Sequence, residues 1–538
     1  MCPMRICLLL LLLPSLCWAK APSPEGQRWW SHVEALASDE LEGRDTGSPG
    51  YLRAAEYVAA KLAEAGVQPG TDQGFFQDVP FISQRLVWER SRMSLVREGK
   101  ETPLELGKEV VLGSNSSREG PLEAELVFVG YGLSIPEAGH DDLAGQALEG
   151  KIAVVLFGGS PKGVSSNLAA HYGSRAERAA ALQRAGAVGM LVLPSPSAQE
   201  VPWERVVAGS RHPVMMLDEP ALQDGLLPWS AIFNLEHANT LLAGSGHTFE
   251  ELVALADAGK PLPHFALPTS VRSDVALERA QVHCRNVVGR LPGSDATLAA
   301  ESVVLTAHLD HVGVGEPLKG DRIYNGAMDN ASGVAALLEV ARSFQQDKGP
   351  KPRRTLLFVA VTGEEKGLLG SRWFAERPPE GSGQIVANVN TDMFLPIIPF
   401  KELLAYGAQE SSLSAALKAS ATRLGLRLVD DPNPQANSFV RSDQYSFIRK
   451  GIPALALKVG YRKGSREERL MKEWRSARYH GPADDLSQPV NLEAAVRFVR
   501  LMKELSQGVA NAPSRPRWND DSFFRRFAQQ PPVPPLAP

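Results

Sequence analysis

The chain reads as an α/β protein whose principal sheet is mostly parallel and lies between helices. Three observations predict this. From about residue 280 onward, apolar runs alternate with amphipathic stretches in a regular βα rhythm. Two of those runs, 302–309 and 355–362, are nearly continuous in apolar residues, as expected of strands buried on both faces. Acids and imidazoles recur just beyond the runs, where open α/β sheets bind ligands at the carboxyl ends of their strands.

The elements follow in order. Ser48 and Pro49 open a helix that runs through Ala65, with Ala54, Ala55, Val58, Leu62 and Ala65 at helical spacing and Gly66 ending it. A strand is expected around 75–81. Between about 106 and 265 short runs (125–131, 151–157, 189–193 and Val214–Leu217) alternate with glycine-rich turns, and an alanine-rich helix spans 175–185. This is a smaller α/β or β-rich unit. From 280 the periodicity predicts a strand at 281–288, the two buried strands, a helix over Ser332–Gln346, further strands at 385–391 and 453–459, and an amphipathic helix at 492–505. The tail past 511 carries Trp518, Phe523, Phe524 and Phe527 before a proline-rich end, and is expected to be loosely held or docked.

With 538 residues the chain is too long for one compact core. Its net charge of −4, with no clustered basic face, argues against a nucleic-acid partner. Arg5, the apolar run 6–13 and Ser15-Leu16-Cys17-Trp18-Ala19 read as a secretory signal cleaved after Ala19, so an exported protein, periplasmic or secreted, is expected. A lipoprotein alternative rests on Cys17, but Leu16 is a poor residue before a lipidated cysteine. The apolar run is too short for a transmembrane span. Cys2, Cys7 and Cys17 fall in the signal, which leaves Cys284 alone, expected as a buried inert thiol on a strand.

The chemistry lies in five segments: TAHLDHVG, GAMDNASG, VTGEEKGLLGS, NVNTDMF and YHGPADD. Their His308, Asp329, Glu365, Asp392 and His480 make a nitrogen and oxygen donor set suited to zinc or a similar divalent ion. Asp329, in a turn that opens a helix, can bridge two ions. Asp310, two residues past His308, is placed to fix its tautomer. Of the adjacent Glu364 and Glu365, one can bind metal while the other takes a proton from metal-bound water. His311 is read as a neighbour of the site, not a ligand. His140, His171, His212, His237, His247 and His264 are read as ordinary histidines without coordinating spacing.

These segments resemble the M28 metallopeptidases, zinc aminopeptidases with a two-metal centre. LASDELEGRDTGSPG at 36–50 is similar to the entry into the peptidase domain. VFVGYGLSIPE, HDDLAGQALEGKIAVVL and RAGAVGMLVL resemble a protease-associated (PA) domain, and RSDQYSFIRKGIPALAL, with Asp443 near the substrate site, resembles another family segment. The resemblance implies a mixed, mostly parallel sheet flanked by helices, of the zinc exopeptidase kind, with a smaller PA-like domain inserted. It divides the chain into a signal peptide (1–19), two parts of the peptidase domain (20–105 and 266–510, the latter with the metal site), the insert (106–265) and the tail (511–538). It further implies two zinc ions, with Asp329 bridging, His308 and Asp392 completing one site, Glu365 and His480 the other, Glu364 as general base and Asp310 orienting His308. The activity expected is release of the N-terminal residue from peptide substrates. Carboxypeptidase chemistry, for which Arg441 or Arg462 could receive a substrate carboxylate, and an inactive peptide-binding relative are the alternatives. Glutaminyl-cyclase chemistry uses one zinc and fits the full ligand set less well. Two departures stand out: Met328 where many relatives carry a second Asp, and Phe394, Leu395 and Pro396 where many carry a small residue, which would alter the pocket wall.

Overall fold

The computed structural model describes residues 23–528 apart from 200–201, 224–225 and 435–437. The expected signal peptide and the proline-rich end, 529–538, lie outside the described residues. A ten-stranded mixed sheet forms the frame. Its main path runs Val214–Leu217, Phe76–Leu86, Leu277–Leu291, Thr355–Val361, Glu301–His308, Gln384–Thr391, Ala454–Gly460, Glu402–Tyr406 and Arg427–Val429. The four strands from Thr355–Val361 to Ala454–Gly460 are mutually parallel. Their neighbours on either side, Leu277–Leu291 and Glu402–Tyr406, run antiparallel to them.

The continuous apolar runs have the cause that was expected. Val303, Leu305, Leu356, Phe358 and Ala360 face one core, while Val304, Leu357, Val359 and Val361 face another with Phe374 and Phe447. Alternate residues of one strand therefore serve opposite faces, and both faces are covered. Helices Pro24–Leu36, Pro49–Glu64, Ser332–Gln346 and Leu492–Asn511 pack on the first face, and Leu369–Glu376 and Gln444–Arg449 on the second. The helix Pro49–Glu64 begins as its sequence dictates: the Ser48 hydroxyl accepts the Tyr51 N–H at 3.1 Å, Pro49 fills the first turn, and Gly66 takes a positive φ of 83° just past the end.

An eight-stranded sheet draws its strands from between Arg92 and Val275, with its own apolar core around Phe128, Val154, Leu191 and Trp229. One strand of this stretch leaves it. Val214–Leu217 pairs antiparallel with Phe76–Leu86 and becomes an edge of the larger sheet. The tail is docked: Trp518 and Phe524 are buried against Phe439, Val440, Tyr445 and Ile448, the Trp518 indole donates to the Gly451 carbonyl at 2.8 Å, and the Ser522 hydroxyl donates to Glu410 at 2.6 Å. Cys284 is buried with its sulfur 3.0 Å from the Thr362 hydroxyl, and burial pushes its thiol up to about 12, as suits an inert side chain. Among the described residues no helix is long and apolar enough to cross a membrane.

Candidate metal centre

Register brings the carboxyl ends of the parallel strands to one edge. His308 is paired with Val361, three residues before Glu364, and Thr391 with Leu457, so Asp392 emerges beside them. Asp329 comes from the irregular turn before helix Ser332–Gln346, where the Asp329–Asn330 peptide is cis. This turn requires Gly326: its φ is 61°, and a Cβ there would lie 2.2 Å from the Asp329 carbonyl and 2.5 Å from the His311 ring. His480 follows helix Arg466–Arg478.

All five expected ligands meet. His308 Nε2 lies 3.3 Å from Asp329 Oδ1 and 3.5 Å from Asp392 Oδ1. His480 Nε2 lies 3.2 Å from Asp329 Oδ2 and 3.3 Å from Glu365 Oε2. Asp329 thus turns one oxygen to each side, and two donor groups form around it. Glu364 joins His308 and Asp392, each offering a donor atom within 4.8 Å of the others. His311 is closer than a mere neighbour: its Nδ1 is 2.9 Å from Glu365 Oε1 and 3.9 Å from Asp329 Oδ2. The buried Asp392 Oδ1 and His311 Nε2 have no hydrogen-bond partner, and unsatisfied atoms beside clustered acids fit a cation. The nitrogen and carboxylate donors suit zinc.

The acids are electrostatically unlike. Burial, reinforced by Glu365, Asp392 and Asp443, holds Glu364 well above the usual carboxylate range. Burial pushes Asp329 and Glu365 the same way, but the imidazoles around them overcome it and hold both below that range. Asp392 is also lowered, against burial, by Lys458 and His308. One glutamate can therefore carry a proton where its neighbours stay anionic, an environment-driven division of roles. His308 and His480 are raised well above the ordinary imidazole value, because the surrounding carboxylates outweigh burial.

Asp310 sits differently from the expectation. The chain leaves the strand at His308, so residue 310 turns back and offers its backbone carbonyl to His308 Nδ1 at 3.1 Å. A carbonyl only accepts, so Nδ1 carries the proton and Nε2 keeps its lone pair for the site. The Asp310 carboxylate instead accepts the Glu364 and Glu365 N–H groups at 3.2 and 3.3 Å and the Thr46 hydroxyl at 3.0 Å. It holds the Glu-Glu turn.

Two supports were missed in the sequence. Buried Asp484 accepts the Met328 and Asp329 N–H groups at 2.9 and 3.0 Å and a Gln488 amide at 2.8 Å, which fixes the Asp329 turn. Buried Arg44 donates to the carbonyls of Leu36, Leu309, Asn325 and Gly326, tying the N-terminal segment to two site loops. Both lie inside the quoted segments, but only contact across more than 150 residues gives them a role. Asp443 is fully buried, and burial first, then Asp310 and Asp392, pushes its carboxyl up to about 7. Met328 is buried and serves through its N–H, so no ligand is missing there. Phe394 is no pocket wall: it stacks on Phe498 in the core with ring centres 4.0 Å apart.

Residues 286–506 match the model of peptidase family M28. A probable leucine aminopeptidase of Arthroderma otae is 28% identical over 181 residues, 33% of this chain and 41% of that protein. A probable glutamate carboxypeptidase VP8 of Zea mays is 26% identical over 357 residues, 64% of this chain and 47% of that protein. The chain thus spans less than half the length of these curated relatives. The solved aminopeptidase from Aneurinibacillus sp. strain AM-1 shares the fold with a TM-score of 0.53 at 19% identity, covering 92% of this chain and 94% of that one.

Proposed function

We propose that this chain, whose residues 286–506 match the model of peptidase family M28, is an exported aminopeptidase holding two zinc ions and acting on peptides with a free N-terminus. The observation that carries the reading is Asp329, with one oxygen 3.3 Å from His308 and the other 3.2 Å from His480. His308, Asp329 and Asp392 would hold one ion, and Asp329, Glu365 and His480 the other, with His311 braced on Glu365. Bound there, the ions supply Lewis acidity, acidifying water and polarising the scissile carbonyl.

The remaining chemistry belongs to the side chains. Glu364 takes the proton of the attacking water and returns it to the leaving amine, which requires a carboxyl whose proton affinity lies above that of its neighbours, as burial makes it. Asp310 aims Glu364 and Glu365 through their N–H groups, and Asp484 keeps the bridging aspartate in place. Of the cations open to the carboxypeptidase alternative, Arg462 is exposed and lies 3.5 Å from Glu402.

The test is a panel of aminoacyl-nitroanilides set against N-blocked peptides, with chelation and zinc add-back. Hydrolysis of the free-amine substrates alone, abolished by chelator and restored by zinc, is expected. Cleavage of only the blocked peptides, from their C-terminus, would overturn the reading.

A further inference from the structure

Lys458 stands in a place where a lysine needs a reason. It lies within the strand Ala454–Gly460, between Leu457 and Val459, which both face the helix-covered core around Phe498. Alternation turns Lys458 to the opposite face. The register pair Thr391 and Leu457 sets it beside Asp392. That is the face on which Asn390 bonds to Ser442 and Gln444, so Lys458 shares it with Asp392 and the Asp443 segment.

The residue is part-buried, and its ammonium makes no hydrogen bond or ion pair among the described residues. The charges that act on it are Asp392 first, then Arg475, Asp329 and Glu364, with Asp431 the other acid that feels it. Arg475 lies over the Tyr479 ring at 5.1 Å, and Tyr479 stacks on His480 at 3.9 Å. Two cations, Lys458 and Arg475, therefore stand beside the site between Asp392 and His480. Asp329, Glu365 and Asp392, the acids among the proposed ligands, carry the charge that two divalent ions would neutralise, so the lysine is left to face the substrate. A part-buried lysine whose ammonium lacks a partner is under-solvated at a cost in free energy, which a bound carboxylate would offset.

We propose that Lys458 is the specificity-determining residue of this cleft and that it receives a substrate carboxylate, that of an N-terminal glutamate or aspartate side chain or that of a short peptide's C-terminus. The proposal rests on the aminopeptidase reading of the site.

The experiment compares kcat/KM for glutamyl-, leucyl- and lysyl-nitroanilide, and for Leu-Gly against Leu-Gly-amide, in the zinc-loaded full chain and in Lys458→Met, Lys458→Arg and Lys458→Glu. The same proteins are titrated calorimetrically with glutamate, leucine and Leu-Gly. A preference of about 10- to 100-fold for the carboxylate-bearing member of one series is expected, the span of one charge-assisted hydrogen bond. It should persist in Lys458→Arg, fall to near one in Lys458→Met, and turn towards lysyl-nitroanilide in Lys458→Glu if the side-chain series shows it. The nitroanilides isolate the side-chain carboxylate, and the dipeptide pair isolates the terminal one. Equal ratios in wild type and Lys458→Met, or a wild-type preference for lysyl substrate, would overturn the proposal. A protein inert on every substrate that still binds glutamate or Leu-Gly through Lys458 would sink the aminopeptidase reading and uphold the lysine's role. Binding indifferent to Lys458 would sink the latter.

Discussion

Asp329 makes opposite contacts with its two oxygens, and it can do so only because its backbone is gripped. Its N–H and that of Met328 both reach Asp484, a carboxylate with no exposure. Asp484→Ala leaves two buried donors unpaired and frees the turn, so zinc affinity should fall about 10- to 100-fold, as for other groups that orient ligands. Competition with a calibrated chelator measures it, and undiminished affinity would strip Asp484 of this role. Glu364 is the complementary case. Its acid strength is set by burial and by three neighbouring acids, yet the proposed metal sites are complete without it. Glu364→Gln should keep its zinc by elemental analysis while kcat drops about 10²- to 10⁴-fold, the usual worth of a general base. Full turnover in that variant would reject it as the base.

Among the elements, the docked tail and helix Ser166–Gly173 depend on each other. His171 of that helix shares a hydrogen bond with the Tyr445 hydroxyl at 2.6 Å and packs against Phe523 and Phe527, while Arg526 pairs with Glu137. Burial first, with Arg449 and Arg526 assisting against Glu177, holds the imidazole down at about 4 from its ordinary 6.5. The sign follows from linkage: the unfolded chain binds this proton more readily than the folded one, so stability is whole above pH 6.5 and falls as pH drops towards 4. The loss is at most about 3 kcal/mol. Hydrogen-exchange protection factors of residues 166–173 and 518–528, corrected for the intrinsic slowing of exchange in acid, should fall across that window, and His171→Asn should flatten the response. Unchanged protection factors between pH 7 and 4.5 would remove the imidazole from the account.

For the whole molecule, the proposed ions act as a fastener. The candidate ligands reach the site from three parallel strand ends, the turn before Ser332–Gln346 and the segment after Arg466–Arg478. Cations that bind only the folded chain stabilise it by about 4 kcal/mol at a thousandfold excess over Kd. Chelation should therefore lower Tm by about 4 °C, reversibly on zinc addition. Coincident melting curves with and without chelator would show that the fold does not depend on them.

The principal strands and helices and the candidate ligands were legible in the sequence. Its apolar runs could be strands only if both faces were covered, and Val303, Val304, Leu356 and Leu357 do divide between two cores. His308, Glu364, Glu365 and Asp392 were readable because they stand just beyond such runs, and strand direction alone carries them to one edge. Tertiary structure decided what local pattern does not encode: that Asp310 serves through its carbonyl and braces a turn 54 residues away, that His311 touches Glu365, and that Phe394 faces the core instead of the cleft. It also decided that Asp484 and Arg44 brace the loops of the candidate site and that Lys458 stands beside Asp392. Sequence periodicity reports which face a residue takes, but hydrogen bonds and charge pairing depend on which distant segment lies opposite, and only the folded chain supplies that partner.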